Sequence, residues 1–260
     1  MIALTPETPV GQLVAKDPRR ARLFERLGID YCCGGRAPLD RACREKGLDL
    51  AAVLRQLAAG EAGPRDDAHG PFDGATATMG ELIDHIVTIH HAYLYRELPR
   101  LAALAGQVVG PHGIRHPELR DVRDVFNALK DDLKSHMLEE ETIVFPILAR
   151  LEAAIEGPES HSGVENPIRV MEYEHDDSGA ALARLHTLTD GYTPPADACP
   201  TYRALLDGLA GLEADLHVHI HEENNILFPR ARAAEGALQA TAAGSDRRSK
   251  MGRPSVRAPW

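Results

Sequence analysis

The sequence predicts an all-α protein in which a small helical domain precedes an up-down-up-down bundle of four long helices. Beyond residue 79, apolar residues recur every three or four positions over four long segments, as on the buried faces of amphipathic helices. Stretches rich in Gly and Pro separate these segments, and no stretch shows the alternation of a half-buried strand. Four amphipathic helices joined by modest loops are typical of a helix bundle.

The N-terminal domain is predicted to span residues 1–60. Gly28 ends its second helix, and the loop that follows carries the adjacent thiols of Cys32 and Cys33. Residues 61–78 are rich in Gly, Pro and Asp, which indicates a linker to the bundle. The four short helices of this domain are expected near residues 10–15, 19–27, 38–46 and 50–59.

The bundle is predicted to span residues 79–233. Gly110 and Pro111 place the first connecting loop at residues 106–117. The tail, residues 234–260, is rich in Ala, Gly and Ser and then basic, so we predict that it is disordered. The four bundle helices are expected near residues 79–105, 118–151, 166–189 and 201–233.

Composition excludes several classes of function. The formal net charge of −10 and the isoelectric point near 5.7 argue against binding to nucleic acid or to an anionic membrane surface. No apolar segment is long enough to span a bilayer, so we expect a cytoplasmic protein. Four cysteines in such a chain do not indicate a disulfide framework. The sequence leaves open whether the chain is a monomer or a dimer.

A repeated motif carries the strongest signal of chemistry. His136 and Glu140 are four residues apart, as are His219 and Glu223, and each pair is followed by Phe-Pro. The two copies lie 83 residues apart. Positions i and i+4 of a helix are separated by about 40° around its axis, so each His and its Glu face the same point. Both pairs also lie on apolar stripes, where carboxylates are costly unless they are paired or coordinated.

The two remaining bundle helices each provide one further histidine. His175 lies on the apolar stripe of the third helix. On the first helix His91 and His90 fit rival stripes, but only His91 stands at the repeat distance, 84 residues before His175. We therefore choose His91. The other bundle histidines are expected to be structural or solvated, or to lie on the opposite helix face: His85, His90, His186, His217 and His221.

Four histidines and two glutamates that face one bundle core are a ligand set for two metal ions. If both carboxylates bridge, each ion receives two imidazoles and two carboxylate oxygens and keeps open positions. Two histidines with a carboxylate and open positions are characteristic of non-haem iron. The alternative is a structural network in which carboxylates satisfy buried histidines. Pro146 and Pro229 each remove a backbone hydrogen bond one turn beyond a Glu, which is expected to kink the helices and set ligand angles.

Acidic residues beside the candidate ligands are candidates for a supporting role. Glu141 and Glu174 adjoin ligand positions and could hold the ligands in place or form a path for protons or iron. Asp176 is a similar case. The alternative for all three is a solvated helix face.

The vicinal thiols of Cys32 and Cys33 are followed by two glycines. Neighbouring cysteines do not readily form an unstrained disulfide, so both are expected to be free. Free thiols on such a loop could act as redox groups, take up iron or dock another metal site. The alternative is that the pair is incidental. Cys43 and Cys199 are expected to be inert.

These motifs resemble the repair-of-iron-centres family, in which a ScdA-type N-terminal domain precedes a hemerythrin-like four-helix bundle. The resemblance implies a non-haem di-iron centre, oxo- or hydroxo-bridged when oxidised, with Glu140 and Glu223 as bridges. It further implies that the protein restores iron–sulfur clusters damaged by nitric oxide or oxidants, as an iron donor to the damaged proteins. The residues that carry the resemblance are Asp30-Tyr31-Cys32-Cys33-Gly34-Gly35, His91, His136/Glu140, Glu174-His175 and His219/Glu223 followed by Asn224-Asn225.

Two other functions remain open at this point. A hemerythrin-like oxygen or nitric oxide sensor would bind gas reversibly at the open metal positions. A di-iron nitric oxide reductase would turn the gas over. The sequence does not decide whether the chain is an enzyme.

Overall fold

The computed structural model describes residues 4–59, 72, 74, 76–155 and 163–251. Its regular elements are helices throughout these ranges, which confirms the all-α prediction. The only pairing of β type among the described residues is an isolated bridge between Pro9 and Pro38. In the same ranges, no helix combines the length and apolar character needed to cross a bilayer.

The N-terminal domain contains four short helices, each within one residue of its predicted bounds. Gly28 ends the second helix in the left-handed conformation, with φ of 64°. Leu23, Phe24 and Leu39 are fully or almost fully buried in a core that belongs to this domain alone. Most of the predicted linker, residues 61–78, lies outside the described residues. The helices are α1 Val10–Lys16, α2 Arg20–Leu27, α3 Leu39–Glu45 and α4 Leu50–Ala59.

Four long helical rods form the bundle, and three of them contain a π-helical segment. We call them bundle helices 1 to 4. Bundle helix 1 consists of α5 Met79–His85, π1 Ile86–His91 and α6 Ala92–His112. Bundle helix 2 consists of α7 Glu118–Glu139, π2 Glu140–Val144 and α8 Phe145–Ile155. Bundle helix 3 is α9 Glu165–Leu188. Bundle helix 4 consists of α10 Pro200–Glu222, π3 Glu223–Leu227 and α11 Phe228–Met251.

Two predicted boundaries are wrong. The first connecting loop was expected at residues 106–117, but α6 continues to His112, because burial of Val108 and His112 outweighs the breaking tendency of the neighbouring Gly-Pro pair. The tail was expected to be disordered from residue 234, but α11 continues to Met251. Its many alanines have the highest helix propensity and extend the helix beyond the bundle. Residues 252–260 of the predicted tail lie outside the described residues.

Apolar residues form two separate clusters along the bundle, with a polar layer between them. One cluster packs the long helices α6, α7, α9 and α10 together and includes Phe126 and Leu209. The other packs α5, α8 and the start of α11 and includes Leu148 and Phe228. In each rod the predicted metal ligands lie where the residues of one cluster give way to those of the other. Apolar packing on both sides therefore separates this layer from water.

The N-terminal domain packs directly on bundle helix 4, which the sequence did not predict. Asn225 donates hydrogen bonds from Nδ2 to the carbonyl oxygens of Tyr31, at 3.3 Å, and Cys32, at 2.9 Å. The buried His221 lies with Nδ1 3.3 Å from the same Tyr31 oxygen. There is no room for a side chain at Gly35. A Cβ atom there would clash with the side chain of Asn225 and would lie 2.6 Å from the carbonyl oxygen of Tyr31. The contact requires a residue without a side chain at position 35.

Gly35→Ala is expected to weaken this contact by about 1–3 kcal/mol, because backbone must move to admit the methyl group. The change should appear as faster protease cleavage between the two domains and a lower unfolding midpoint in urea. Gly106→Ala is the matched control, since a Cβ atom at that helical position meets nothing within 4 Å. It should stabilise the protein slightly. Equal behaviour of the two variants would contradict the close contact at Gly35.

Candidate metal centre

Six buried side chains from the four bundle helices meet in the polar layer. They form two overlapping groups whose potential ligand atoms all lie within 4.8 Å of one another. Both Glu140 and Glu223 belong to both groups, and neither has any exposed surface. One group adds His91 and His219 to the two glutamates, and the other adds His136 and His175.

Each carboxylate divides its two oxygens between the two groups. Oε2 of Glu140 lies 3.2 Å from Nε2 of His91, whereas Oε1 lies 3.2 Å from Nε2 of His136. Oε1 of Glu223 lies 3.3 Å from Nε2 of His219, whereas Oε2 lies 3.0 Å from Nε2 of His175. Two atoms that bind one metal ion at about 2.1 Å and at right angles are about 3 Å apart. The spacings therefore fit two ions bridged by both carboxylates.

The donor atoms of this cluster fit a cation. Nδ1 of His136 faces an oxygen of Glu174 at 2.6 Å, and Nδ1 of His175 faces the Asn224 oxygen at 2.9 Å, so both Nδ1 atoms donate. Their Nε2 atoms then present lone pairs to each other, 3.1 Å apart. Both oxygens of Glu140 are buried, and the ion pairs they make within the described residues are with histidines of the cluster. Such a set is stable only around a positive charge, either a proton or a metal ion.

The acidic surroundings raise the pKa of two cluster histidines, His91 and His136, and so favour their protonation when no metal is bound. Burial alone lowers the pKa of His136, but the charge and hydrogen bond of Glu140, with further help from Glu223 and Glu174, raise it to about 10. For His91 burial likewise acts to lower the pKa, and the hydrogen bond and charge of Glu140 raise it overall. A metal ion that enters must therefore displace protons.

The outer nitrogens of three histidines are held by polar side chains. Glu141 Oε1 lies 2.8 Å from Nδ1 of His91, so the structure places both Glu141 and Glu174 as hydrogen-bond acceptors for cluster histidines. Asn224 has the same role for His175, and sequence analysis missed it. The repeat could have identified it, because Asn224 stands 83 residues after Glu141. Partners of this kind fix the orientation of metal-binding imidazoles.

The π-helical segments position the ligands. Phe145 donates its N–H to the carbonyl of Glu140, five residues earlier, and Phe228 does the same to Glu223. The next residue in each case is proline, which has no N–H with which to continue the regular α-helical pattern. Where the sequence predicted kinks, the structure shows widened turns that begin at each glutamate.

Comparison with known proteins agrees with this geometry. The hemerythrin HHE cation binding domain matches residues 82–231, and ScdA_N, a domain of unknown function, matches residues 6–61. The iron-sulfur cluster repair protein YtfE of Enterobacter sp. (strain 638) is 40% identical over 229 residues, which cover 88% of this chain and 98% of the relative. The protein of the same name from Escherichia coli O157:H7 is 36% identical over the same shares. This chain belongs to the YtfE family of iron-sulfur cluster repair proteins.

The bundle is thus a hemerythrin-like cation-binding domain, and its thiol-bearing neighbour lies close to the cluster. Cys33 Sγ lies 3.5 Å from the carbonyl oxygen of His175, and the Sγ atoms of Cys32 and Cys33 are 3.9 Å apart. Both thiols line a cavity of about 150 Å³ that also touches Asp176 and Asn224. The hydrogen bond to Cys33 and burial raise the pKa of the Cys32 thiol, so it stays protonated at neutral pH.

The remaining predicted residues lie elsewhere. Asp176 lines the cavity and is not among the hydrogen-bond partners of the cluster histidines. His186 contacts Glu213 at 3.2 Å on the bundle surface, and His217 and His221 face the ring of Tyr31. These three histidines lie away from the cluster, as expected.

Asn224→Ala is expected to lower the affinity of the cluster for a divalent metal by about 10–100-fold, because His175 loses the acceptor that orients it. Competition with a coloured chelator measures this affinity. Asn225→Ala is the matched control, since Asn225 binds the loop of Tyr31 and Cys32 instead of a cluster histidine. It should loosen the N-terminal domain and leave metal affinity unchanged. The assignment fails if both variants bind metal as the unaltered protein does.

Proposed function

We propose that this protein holds two non-haem iron ions at the six-residue cluster and restores damaged iron–sulfur clusters by donating iron. The observation that carries the proposal is the division of oxygens described above. Glu140 and Glu223 each direct one oxygen to each pair of histidines. This arrangement suits a pair of ions and would leave half of each carboxylate unused around a single ion.

The donor set favours iron that can be released. In this proposal the ligands are His91, His136, His175 and His219, with Glu140 and Glu223 as bridges. Imidazoles and carboxylates without thiolates are typical of non-haem iron, and two of each per ion leave open positions. When bound, the iron pair would supply releasable ferrous ions and sites for small gases such as nitric oxide or oxygen.

The residues around the cluster can exchange protons for iron. Release of a ligand-bound ion requires its histidines to take up protons. Glu141 and Glu174 touch Nδ1 of His91 and His136, and their side chains are 30% and 38% exposed. Each therefore connects a buried imidazole with solvent. We propose that they hold the histidines in place for binding and carry protons inward when iron leaves.

The thiol loop is placed to assist transfer. Cys33 lies against the backbone of the ligand residue His175, and the shared cavity extends to Asn224, which holds that histidine. We propose that Cys32 and Cys33 receive or guide iron on its way to the damaged protein. The relatives named above carry the name of cluster repair proteins. The clients proposed for this chain are cytoplasmic iron–sulfur proteins damaged by nitric oxide or oxidants.

A reactivation assay tests the proposal. A [4Fe–4S] dehydratase inactivated by nitric oxide is incubated anaerobically with the iron-loaded protein, with metal-free protein or with equimolar free ferrous iron. Activity should return fastest with the loaded protein. Glu140→Leu combined with Glu223→Leu should bind neither iron ion and restore nothing, since both bridges are lost. No recovery with protein shown to carry two iron ions would favour gas sensing or nitric oxide reduction instead.

Cys32→Ala combined with Cys33→Ala should leave the iron content unchanged, because the sulfurs are not among the cluster donors. The same assay should show slower reactivation by this variant, since the proposed transfer step loses its thiols. Cys43→Ala is the control, because Cys43 is buried in the core of the N-terminal domain. Loss of iron from the double variant would place the thiols in the iron site itself.

A further inference from the structure

A second group of potential metal ligands lies beside the six-residue cluster and belongs to neither of its halves. It consists of His85, His90 and Glu222, whose candidate ligand atoms lie within 4.8 Å of one another. Nε2 of His85 is 3.6 Å from Oε1 of Glu222, and Nε2 of His90 is 3.7 Å from Oε2. The two histidines therefore approach different oxygens of one carboxylate.

The π-helical segment π1 brings the two histidines together. Residues five positions apart on a regular α-helix are separated by about 140° around the axis, so His85 and His90 would face different directions. A π turn pairs residue i with residue i+5 and thus aligns residues five apart. His90 lies within π1 and His85 immediately precedes it. Their ring centroids are 5.7 Å apart, with the rings nearly perpendicular.

Neighbouring side chains fix both rings. Oδ1 of Asp215 lies 3.0 Å from Nδ1 of His90, which leaves Nε2 directed toward Glu222. This is the carboxylate–imidazole arrangement that commonly orients metal-binding histidines. The ring of His85 stacks on Phe72 with centroids 3.9 Å apart.

Glu222 is a carboxylate in need of a positive partner. Its side chain is only 12% exposed, and its Oε2 atom makes no hydrogen bond within the described residues. The ion pairs found for it there are all with histidines. Burial of a carboxylate is unfavourable unless it is paired, protonated or bound to a metal ion.

We propose that His85, His90 and Glu222 form a third metal site for a divalent transition metal ion such as ferrous iron. Two histidines and one carboxylate with remaining open positions suit this class of ion. The site is built from the residues next to two proposed cluster ligands, since His90 precedes His91 and Glu222 precedes Glu223. The ring of His90 stacks on that of His219 at 5.3 Å. The third ion would thus lie beside the proposed two-iron centre, at an intermediate binding site for metal ions that enter or leave that centre.

The test is a count of Co²⁺ ions bound per chain, measured by anaerobic equilibrium dialysis and mass spectrometry of the metal. The unaltered protein should bind one ion more than Glu222→Leu at saturation, or bind its weakest ion at least tenfold more tightly. The distances between histidine nitrogens and carboxylate oxygens are longer at this site than in the six-residue cluster. The ion that Glu222→Leu loses should therefore be the most weakly bound one. Equal numbers and affinities in the two proteins would overturn the proposal.

A second variant guards against misfolding. His85→Phe removes a ligand nitrogen and keeps a ring that can stack on Phe72. It should lose the same ion as Glu222→Leu. Glu213→Leu is the matched control, because it breaks a contact between the same helix and His186 that lies outside the ligand clusters found among the described residues. If Glu213→Leu loses the ion too, the effect is not specific to the third site. If instead the proposed two-iron centre is wrong, the unaltered protein itself will lack the two tightly bound ions.

Discussion

The burial of two carboxylates, Glu140 and Glu223, is the constraint on which the centre of this bundle depends. Neither has exposed surface, and in the described part of the chain both pair with histidines alone. Burying an ionised carboxylate costs several kcal/mol unless cations or hydrogen bonds compensate it. Imidazoles supply part of that compensation, and a bound cation would supply the rest. The apolar clusters on either side keep water from doing so.

The ligands of the six-residue cluster could be predicted from the sequence, because their spacing follows regular α-helical geometry. Contacts that depend on a departure from that geometry could not. The spacing of His136 from Glu140, and its repetition, predicted which side chains meet, because i and i+4 share a face on any α-helix. That rule fails inside a π turn. His85 and His90 have no histidine counterpart at the repeat distance, so the sequence predicts a structural or solvated role for them, yet π1 brings them together with Glu222.

Other differences have their own physical causes. The docking of the N-terminal domain rests on contacts such as that of Asn225 with the carbonyl of Tyr31, almost 200 residues away in sequence. Periodicity within one helix carries no information about such a contact. The end of the first bundle helix was misplaced because Gly and Pro were weighed without knowledge that His112 is buried. Local propensity gave way there to tertiary packing.

The duplicated halves of the bundle are not equivalent, and the difference is concentrated at one pair of positions. Glu141 and Asn224 occupy equivalent positions and each accepts from a cluster histidine. Glu174 also accepts from one, but its counterpart in the first half is His90, which stacks on His219 instead. Nδ1 of His219 accordingly makes no hydrogen bond within the described residues. The first half therefore has an imidazole, that of His90, at the position where the second half has the supporting carboxylate of Glu174.

Three consecutive residues of π3 connect the parts of the molecule that the proposed function needs. Glu223 contributes oxygens to both halves of the cluster, Asn224 holds His175, and Asn225 holds the loop of Cys32. The same widened turn therefore sets the ligand geometry and the position of the thiols. A change in the angle of Glu223 on loss of a metal ion would move the residue that anchors the thiol loop. Because Glu223 and Asn225 are only two residues apart and Asn225 is hydrogen-bonded to the thiol loop, the position of the thiols is linked to the site from which iron would leave.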